Sequence, residues 1–541
     1  MKVIILKILI VNSFDSKGGA ARAAYRLYSG LLKFNIEAEL LVQKSTSNDN
    51  SVLTFDNSEM LTFDTILLTN YINIKTYFSN SIISNSNLIN YINESDADIV
   101  HLHWITNSFL SIEDIGKITK PIVFTMHDNW LFTGGCHIMG ECINYKNECG
   151  NCHILNSNEI NDISNINWNR KKKVFNNLNK NTYVIGLSKW VTNKAKKSSL
   201  INKFNIINLP NPINSEYYVN INKDSLRKKY KISKNKKIVI FGAMSSTSDL
   251  NKGYHLLLDS LSKLKSKNIE LLIFGNDDNI ENFNNFHINS FGKIEDDQVL
   301  IELYNLSDVM IVPSLQENLP NVIIEAFSSS LPVVAFNIGG IPDIIDHKIN
   351  GYLAKAFNTQ DLADGIEWIL HHPNYDELCK NARKKVLSNF SEEIVIPKYI
   401  KLYKKILKEL KYSKNNFKES TDIKLSNLYI ETFNKYVQKE NSEKEIYFSK
   451  NFNKFFEQIS LIDENIILYG YGTIGKTIQK LIPEKIIGYI DMNDNNNHPS
   501  TLRNMKYDKI LISVLGREKE IKRYLVKELS VPKNKIITIE L

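Results

Sequence analysis

The sequence predicts an α/β protein built from two doubly wound parallel sheets, followed by a smaller third one. Three observations predict it. Short apolar, β-branched runs alternate with longer helical patterns; glycine-rich turns follow several of those runs; and 541 residues amount to about three times the usual domain length. At 43% hydrophobic and 23% charged residues, the composition is that of a globular chain able to bury several cores. The 67 Lys plus Arg against 59 Asp plus Glu give +8, too dilute for the dense basic stripe of a nucleic-acid binder. No nucleic-acid partner is therefore expected; phosphorylated small molecules or an anionic membrane surface suit this balance better.

The first strand is read at Ile8 to Asn12. The run from Met1 to Val11 is apolar enough to suggest a signal peptide, but Lys7 interrupts it and no small-residue cleavage site follows. No other stretch approaches the ~20 apolar residues of a membrane span, and a cytoplasmic location is expected. Glu39 to Val42, Ile99 to His103, Ile122 to Met126 and Tyr183 to Leu187 continue this series, which breaks at Pro210-Asn211-Pro212. A second series reads Lys237 to Phe241, Glu270 to Phe274, Val309 to Pro313 and Val333 to Phe336. Domains are thus expected at 1–212 and 213–395, with a basic helix at 396–412 packing back on the first. Residues 413–460, rich in Asn, Lys, Glu and Ser, read as a linker. The third block, 461–541, starts its sheet at Ile466 to Tyr469.

The most informative segment runs from Pro313 to Ala326: a strand ends, a turn carries Glu317, and a helix opens near Pro320 and Asn321 with Glu325 in its first turns. Backbone N–H groups around Asn318, Leu319 and Asn321 are free at such a helix start and, with the helix dipole, favour a phosphate. Two carboxylates flanking that site can accept hydrogen bonds from sugar and ribose hydroxyls. The plain alternative is that Glu325 complements the dipole and Glu317 is a solvated loop residue. Lys252 stands at a helix start after the strand ending at Gly242, where a lysine can meet a diphosphate but is otherwise unremarkable. Gly18 and Gly19 permit close backbone approach to a ligand. His127 follows a strand's carboxyl end, the rim on which open α/β sheets build their sites. His101 and His103, at the end of the preceding strand, read as structural.

The E-x7-E spacing of Glu317 and Glu325, with P-V-V-A at 332–335 and G-G-I-P-D at 339–343, resembles the signature of family 4 glycosyltransferases. The resemblance covers roughly residues 3 to 410. It implies a GT-B fold, two Rossmann-like domains facing a cleft, and a retaining mechanism that needs no metal for catalysis. It also implies a nucleotide-sugar donor, UDP- or GDP-linked, and a glycan or lipid-linked acceptor, as in surface polysaccharide or lipopolysaccharide assembly. By the same resemblance Glu317 contacts the donor sugar, Glu325 the ribose and Lys252 the diphosphate. Gly18, Gly19 and Gly242 shape the diphosphate site, and His127 binds the sugar or the transition state. The family often has an Arg directly after the strand that ends at Gly242; here Ala243 stands there, leaving Lys252, loop amides and Ser245 or Ser246 to neutralise the diphosphate.

Four of the five cysteines fall together at Cys136, Cys142, Cys149 and Cys152. Such spacing suits a structural zinc, with disulfides or uncommitted thiols as alternatives. In the third block Gly470, Gly472 and Gly475 follow a strand, and Asp491 ends the next one, a dinucleotide fingerprint in its proper context. It points to NAD or another nucleotide, with assembly or regulation as the alternative. An NAD-dependent oxidoreductase or epimerase is a competing reading, but Tyr507 is followed by Lys509, the wrong spacing for its usual acid–base pair. A noncatalytic sugar-nucleotide scaffold is the other. Basic clusters at Arg170 to Lys173, Lys194 to Lys197, and Lys401, Lys404, Lys405 and Lys408 read as solvated helix faces, or as contacts to anionic headgroups.

Overall fold

The computed structural model describes residues 6–47, 49–179, 181–218, 221–275, 286–294, 296–415, 465–472, 475–476, 478–479, 485–494, 496–514 and 517–538. The chain divides into two compact units, the first formed by 1–58 and 64–413, the second by 59–63 and 414–541.

The first unit holds two parallel sheets. One comprises β1 (Lys7–Phe14), β2 (Glu37–Lys44), β3 (Leu53–Thr54), β4 (Ile99–Leu102), β5 (Ile122–Met126), β6 (Tyr183–Gly186) and β7 (Asn205–Asn208), in the order 3-2-1-4-5-6-7. The other comprises β8 (Lys237–Gly242), β9 (Ile269–Phe274), β10 (His287–Ser290), β11 (Val309–Val312), β12 (Val333–Phe336) and β13 (Gly351–Ala354), in the order 10-9-8-11-12-13. Central strands such as β4, β5, β9 and β11 are buried throughout, which is why they read as unbroken apolar runs: helices cover both faces. Both sheets reverse direction beside their first strand, between β1 and β4 and between β8 and β11. Ligands of such sheets bind in the crevice at that switch point.

The helix Gly19–Lys33 shows why the cover forms. Ala24, Leu27, Tyr28 and Leu31 recur at helical spacing and are buried against β1. The long helix Glu392–Asn415 starts a few residues before the expected position, where Ser391 bridges to Ile213. Its Val395, Ile396, Tyr399, Leu402, Tyr403 and Ile406 then complete the core formed by Ile8, Ile10 and Ile99. Gly30 makes that crossing possible, since a Cβ there would lie 2.5 Å from Ile396.

The basic cluster at Arg170 to Lys173 is only half the solvated face expected of it: Lys172 and Lys173 are exposed, but Arg170 and Lys171 are not. Arg170 forks onto Glu113 at 2.9 and 2.6 Å, and Lys171 is fully buried. Both point inward because the helix Ile163–Asn177 is wedged against the loop that follows β5.

The second unit contains a parallel sheet of β14 (Ile466–Tyr469), β15 (Ile486–Ile490), β16 (Lys509–Ile512) and β17 (Ile536–Thr538), in the order 15-14-16-17. The expected linker lies, apart from 413–415, outside the described residues.

Candidate functional site

On the second sheet the site is built from the loops that leave β8 and β11. Asn251 locks these loops together: its carbonyl accepts from Leu315 N at 2.8 Å, its side-chain oxygen accepts from Gln316 N at 3.0 Å, and its amide donates to Gln316 O at 3.0 Å. Gly253, at φ +70°, lies so close under Pro313 O that a Cβ would come within 2.0 Å of it. This docking brings Lys252 Nζ to 2.8 Å from Glu317 Oε1, with side chains 24% and 15% exposed. Burial opposes the Lys252 charge, but the Glu317 carboxylate outweighs it and raises the pKa, so the ammonium persists. Behind the pair, Gly340 N donates to Glu317 O at 3.1 Å, and Gly339 sits at φ +53°.

The first sheet contributes His127, just past β5, and His103, just past β4. His103 Nδ1 and His127 Nε2 are 2.9 Å apart and share a hydrogen bond. Burial drives the His127 pKa down to about 4, and holds His103 well below its ordinary value. Both rings are neutral at neutral pH, so His127 can donate from one nitrogen or accept at the other without carrying charge. His101 is structural: its nitrogens bond Tyr403 Oη at 2.7 Å and Thr125 Oγ1 at 2.8 Å.

Both neighbours of Glu317 are fastened to the His127 loop. Asn318 Nδ2 donates to Met126 O at 2.8 Å and His127 O at 3.2 Å, while Ser188 Oγ donates to Asn318 Oδ1 at 2.7 Å. Gln316 Nε2 donates to Asn129 Oδ1 at 2.8 Å, and Gly140 N donates to Gln316 Oε1 at 2.8 Å. The loop that carries Glu317 and the loop that carries His127 are therefore fastened to each other across the two sheets.

The remaining expected donor contacts are placed as follows. Gly18 turns the chain at φ +92° into the helix Gly19–Lys33, and Gly19 O accepts from Asn321 Nδ2 at 2.9 Å. Leu319 turns its side chain into the core. Gly242 lies against Phe274, whose ring leaves no room for a Cβ. Glu325 is 3% exposed and engaged by Arg26 Nη2 at 2.6 Å, Arg22 Nη2 at 3.8 Å and Tyr304 Oη at 3.3 Å. Burial raises its pKa, but the two arginines more than reverse that and lower it. Ser246 Oγ, in the loop after β8, is buried and has no partner among the described residues.

Sequence reading passed over Arg22 and Arg26 and took His103 as structural. The two arginines are four residues apart on the helix that opens at the glycine turn, so they share a face. That spacing was the available signal.

Cys136, Cys142, Cys149 and Cys152 line one cavity. All four are free thiols, and among the described residues no three His, Cys, Asp or Glu side chains are already gathered to hold a metal ion.

In the second unit Gly470 takes φ +93° after β14, and a Cβ on Gly475 would lie 2.3 Å from Gly470 O, so the glycine turn is tight. Asp491 Oδ2 accepts from Tyr471 N at 2.9 Å, which ties the end of β15 to that turn. Gly472 has open space around it; Thr473 and Ile474 lie outside the described residues.

Residues 222–386 match the family Glycosyl transferases group 1. The N-acetyl-alpha-D-glucosaminyl L-malate synthase of Bacillus anthracis is 25% identical over 241 residues, 41% of this chain and 61% of that protein. The capsular polysaccharide biosynthesis glycosyltransferase CapM of Staphylococcus aureus is 27% identical over 244 residues, 42% of this chain and 63% of that protein. The chain thus spans about three fifths of the length of these curated relatives. The crystal structure of Anabaena HepE in complex with UDP-glucose superposes with a TM-score of 0.51 at 15% identity, covering 75% of this chain and 100% of that one. The fold is GT-B.

Proposed function

We propose that this protein is a retaining glycosyltransferase of family 4 that moves a sugar from a nucleotide-diphosphate donor to a glycan or lipid-linked saccharide. The setting is surface polysaccharide or lipopolysaccharide assembly, at the cytoplasmic face of the membrane. The observation that carries this reading is the Lys252–Glu317 ion pair at 2.8 Å, held at the β8–β11 switch point and fastened by Gln316 and Asn318 to the loop of His127.

In this reading the donor diphosphate lies over Lys252, the loop amides after β8 and Ser246. A preorganised ammonium in a water-poor cleft is then worth most as charge builds on the departing phosphate. Glu317 accepts from sugar hydroxyls and keeps Lys252 charged and in place. His127, neutral, donates to the sugar or to the oxygen that develops charge. The departing phosphate guides the acceptor hydroxyl to the same face of the anomeric carbon, giving retention without a protein nucleophile or a catalytic metal.

The test is turnover of UDP-, GDP-, ADP- and TDP-sugars by the full chain and by Glu317→Gln, with NAD in parallel. Turnover of one donor, lost in the variant, supports the reading. Binding of NAD alone, with no sugar nucleotide turned over, moves the activity to the Gly470 turn and overturns it.

A further inference from the structure

We propose that Cys136, Cys142, Cys149 and Cys152 bind one zinc ion as thiolates in the cavity that they line. This inference stands independently of the transferase reading.

The donor set is four thiols from one loop, lining a cavity whose other walls include Phe78, Met139 and Tyr145. Soft sulfur ligands in an apolar, closed setting suit a structural zinc, which takes four of them in a tetrahedron. Two features, one in the cavity wall and one bonded to that wall through Thr133, point to an ion. Among the described residues Tyr145 Oη is buried with no hydrogen-bond partner, a cost that proteins rarely accept. Lys171 is fully buried, donates to the carbonyls of Trp130 and Thr133, and lies 3.7 Å from the centre of the Trp130 ring. No carboxylate stands within ion-pair distance of it among the described residues, and the nearby Asp128 is committed to Trp104, Trp130 and His137. Burial pulls the Lys171 pKa down to about 7, so its ammonium is fully held at neutral pH only beside a counter-charge. A zinc ion with four thiolates carries two negative charges and supplies it.

The backbone is also arranged for thiolates. Gly134 N donates to Cys149 Sγ at 3.2 Å. Such N–H to sulfur bonds stabilise metal-bound thiolates as second-layer contacts. The thiols surround the cavity without yet standing at ligand spacing, so binding draws them inward. Their loop is anchored at both ends: Ser79 N bonds Gly135 O at 3.0 Å, and Asp162 accepts from Cys152 N at 2.7 Å.

The ion would close the loop whose apex, Gly140, touches Gln316 beside Glu317. It is structural, four-coordinate and without an open position.

The experiment is metal analysis by plasma mass spectrometry of the untagged full chain, purified under reducing conditions after growth with zinc. About one zinc per chain is expected, released when a mercurial blocks the thiols. Cys149→Ser/Cys152→Ser should lose it, while Cys379→Ser keeps it. Because the double variant can misfold, the wild-type chain is also loaded with Co(II), which should give tetrahedral ligand-field bands and thiolate charge-transfer absorption. Wild-type protein that lacks zinc and stays colourless with Co(II) overturns the proposal. So does disulfide pairing of the four cysteines in non-reduced peptide maps.

Discussion

Arg26, on the helix that follows the first strand, reaches Glu325, 299 residues further along the chain, with 2.6 Å between Nη2 and Oε1. The same carboxylate is the expected ribose contact, so one buried group joins the two sheets and, in the proposed reading, faces the donor. Removing one partner of such a pair leaves a charge without compensation, which costs more than the pair itself contributes.

Arg26→Met should therefore destabilise the first unit by about 3–5 kcal/mol. Adding Glu325→Gln should recover a large part of that loss. Urea midpoints of the two variants check the coupling; equal losses in the single and double variants would show that the ion pair is not the cause.

Glu317→Gln should lower kcat by about 100- to 1000-fold while changing donor KM little, because it holds the Lys252 ammonium in place for the charge that builds on the leaving phosphate. Lys252→Met should give a loss of the same order and also weaken donor binding. Steady-state kinetics on the donor found in the screen separate the two effects.

How much of this was legible in the sequence depends on how local the signal is. The central strands, the turn holding Glu317 and the glycine turn at Gly18 all announce themselves within a few residues. The edge strands β7, β10 and β13 do not: Asn205–Asn208 and His287–Ser290 are short, polar at their ends and paired on one side only. Their pairing is decided by the sheet they join, not by their own pattern. Likewise Arg26 finds Glu325, and His103 finds His127, only once the sheets are assembled. The burial of Lys171 was invisible because its neighbours in sequence make it look like part of a solvated basic run.

Gly339→Ala should depress kcat/KM by about 100-fold, the scale expected when a catalytic group is displaced by ~1 Å. The added Cβ would fall 2.0 Å from Glu317 O at a backbone φ of +53°. Gly340→Ala should do no better, since the new Cβ would meet Asn318 O at 1.7 Å. Kinetics beside a circular-dichroism melt distinguish displacement from unfolding.

Stability should fall as pH drops through about 6.5. His127 and His101 are held neutral by burial, their pKa values pushed down to about 4 and about 3. Below the ordinary imidazole value the unfolded chain takes up protons that the folded chain refuses, so unfolding gains. The loss continues until the folded groups themselves titrate, and each contributes on the order of 3 kcal/mol across that window. Denaturant midpoints from pH 8 to pH 5 should show the slope, reduced in His127→Asn.

The helix Glu392–Asn415 supplies six side chains to the core that surrounds β1. A ribosome making this chain must therefore release the entire second sheet before the first can close its hydrophobic interior. The order of synthesis runs against the order of completion, and the early half waits, partly uncovered, for its last wall. A fragment ending at 212 should be insoluble, whereas one extending through 413 should fold, which makes this helix the boundary for expressing the first unit alone.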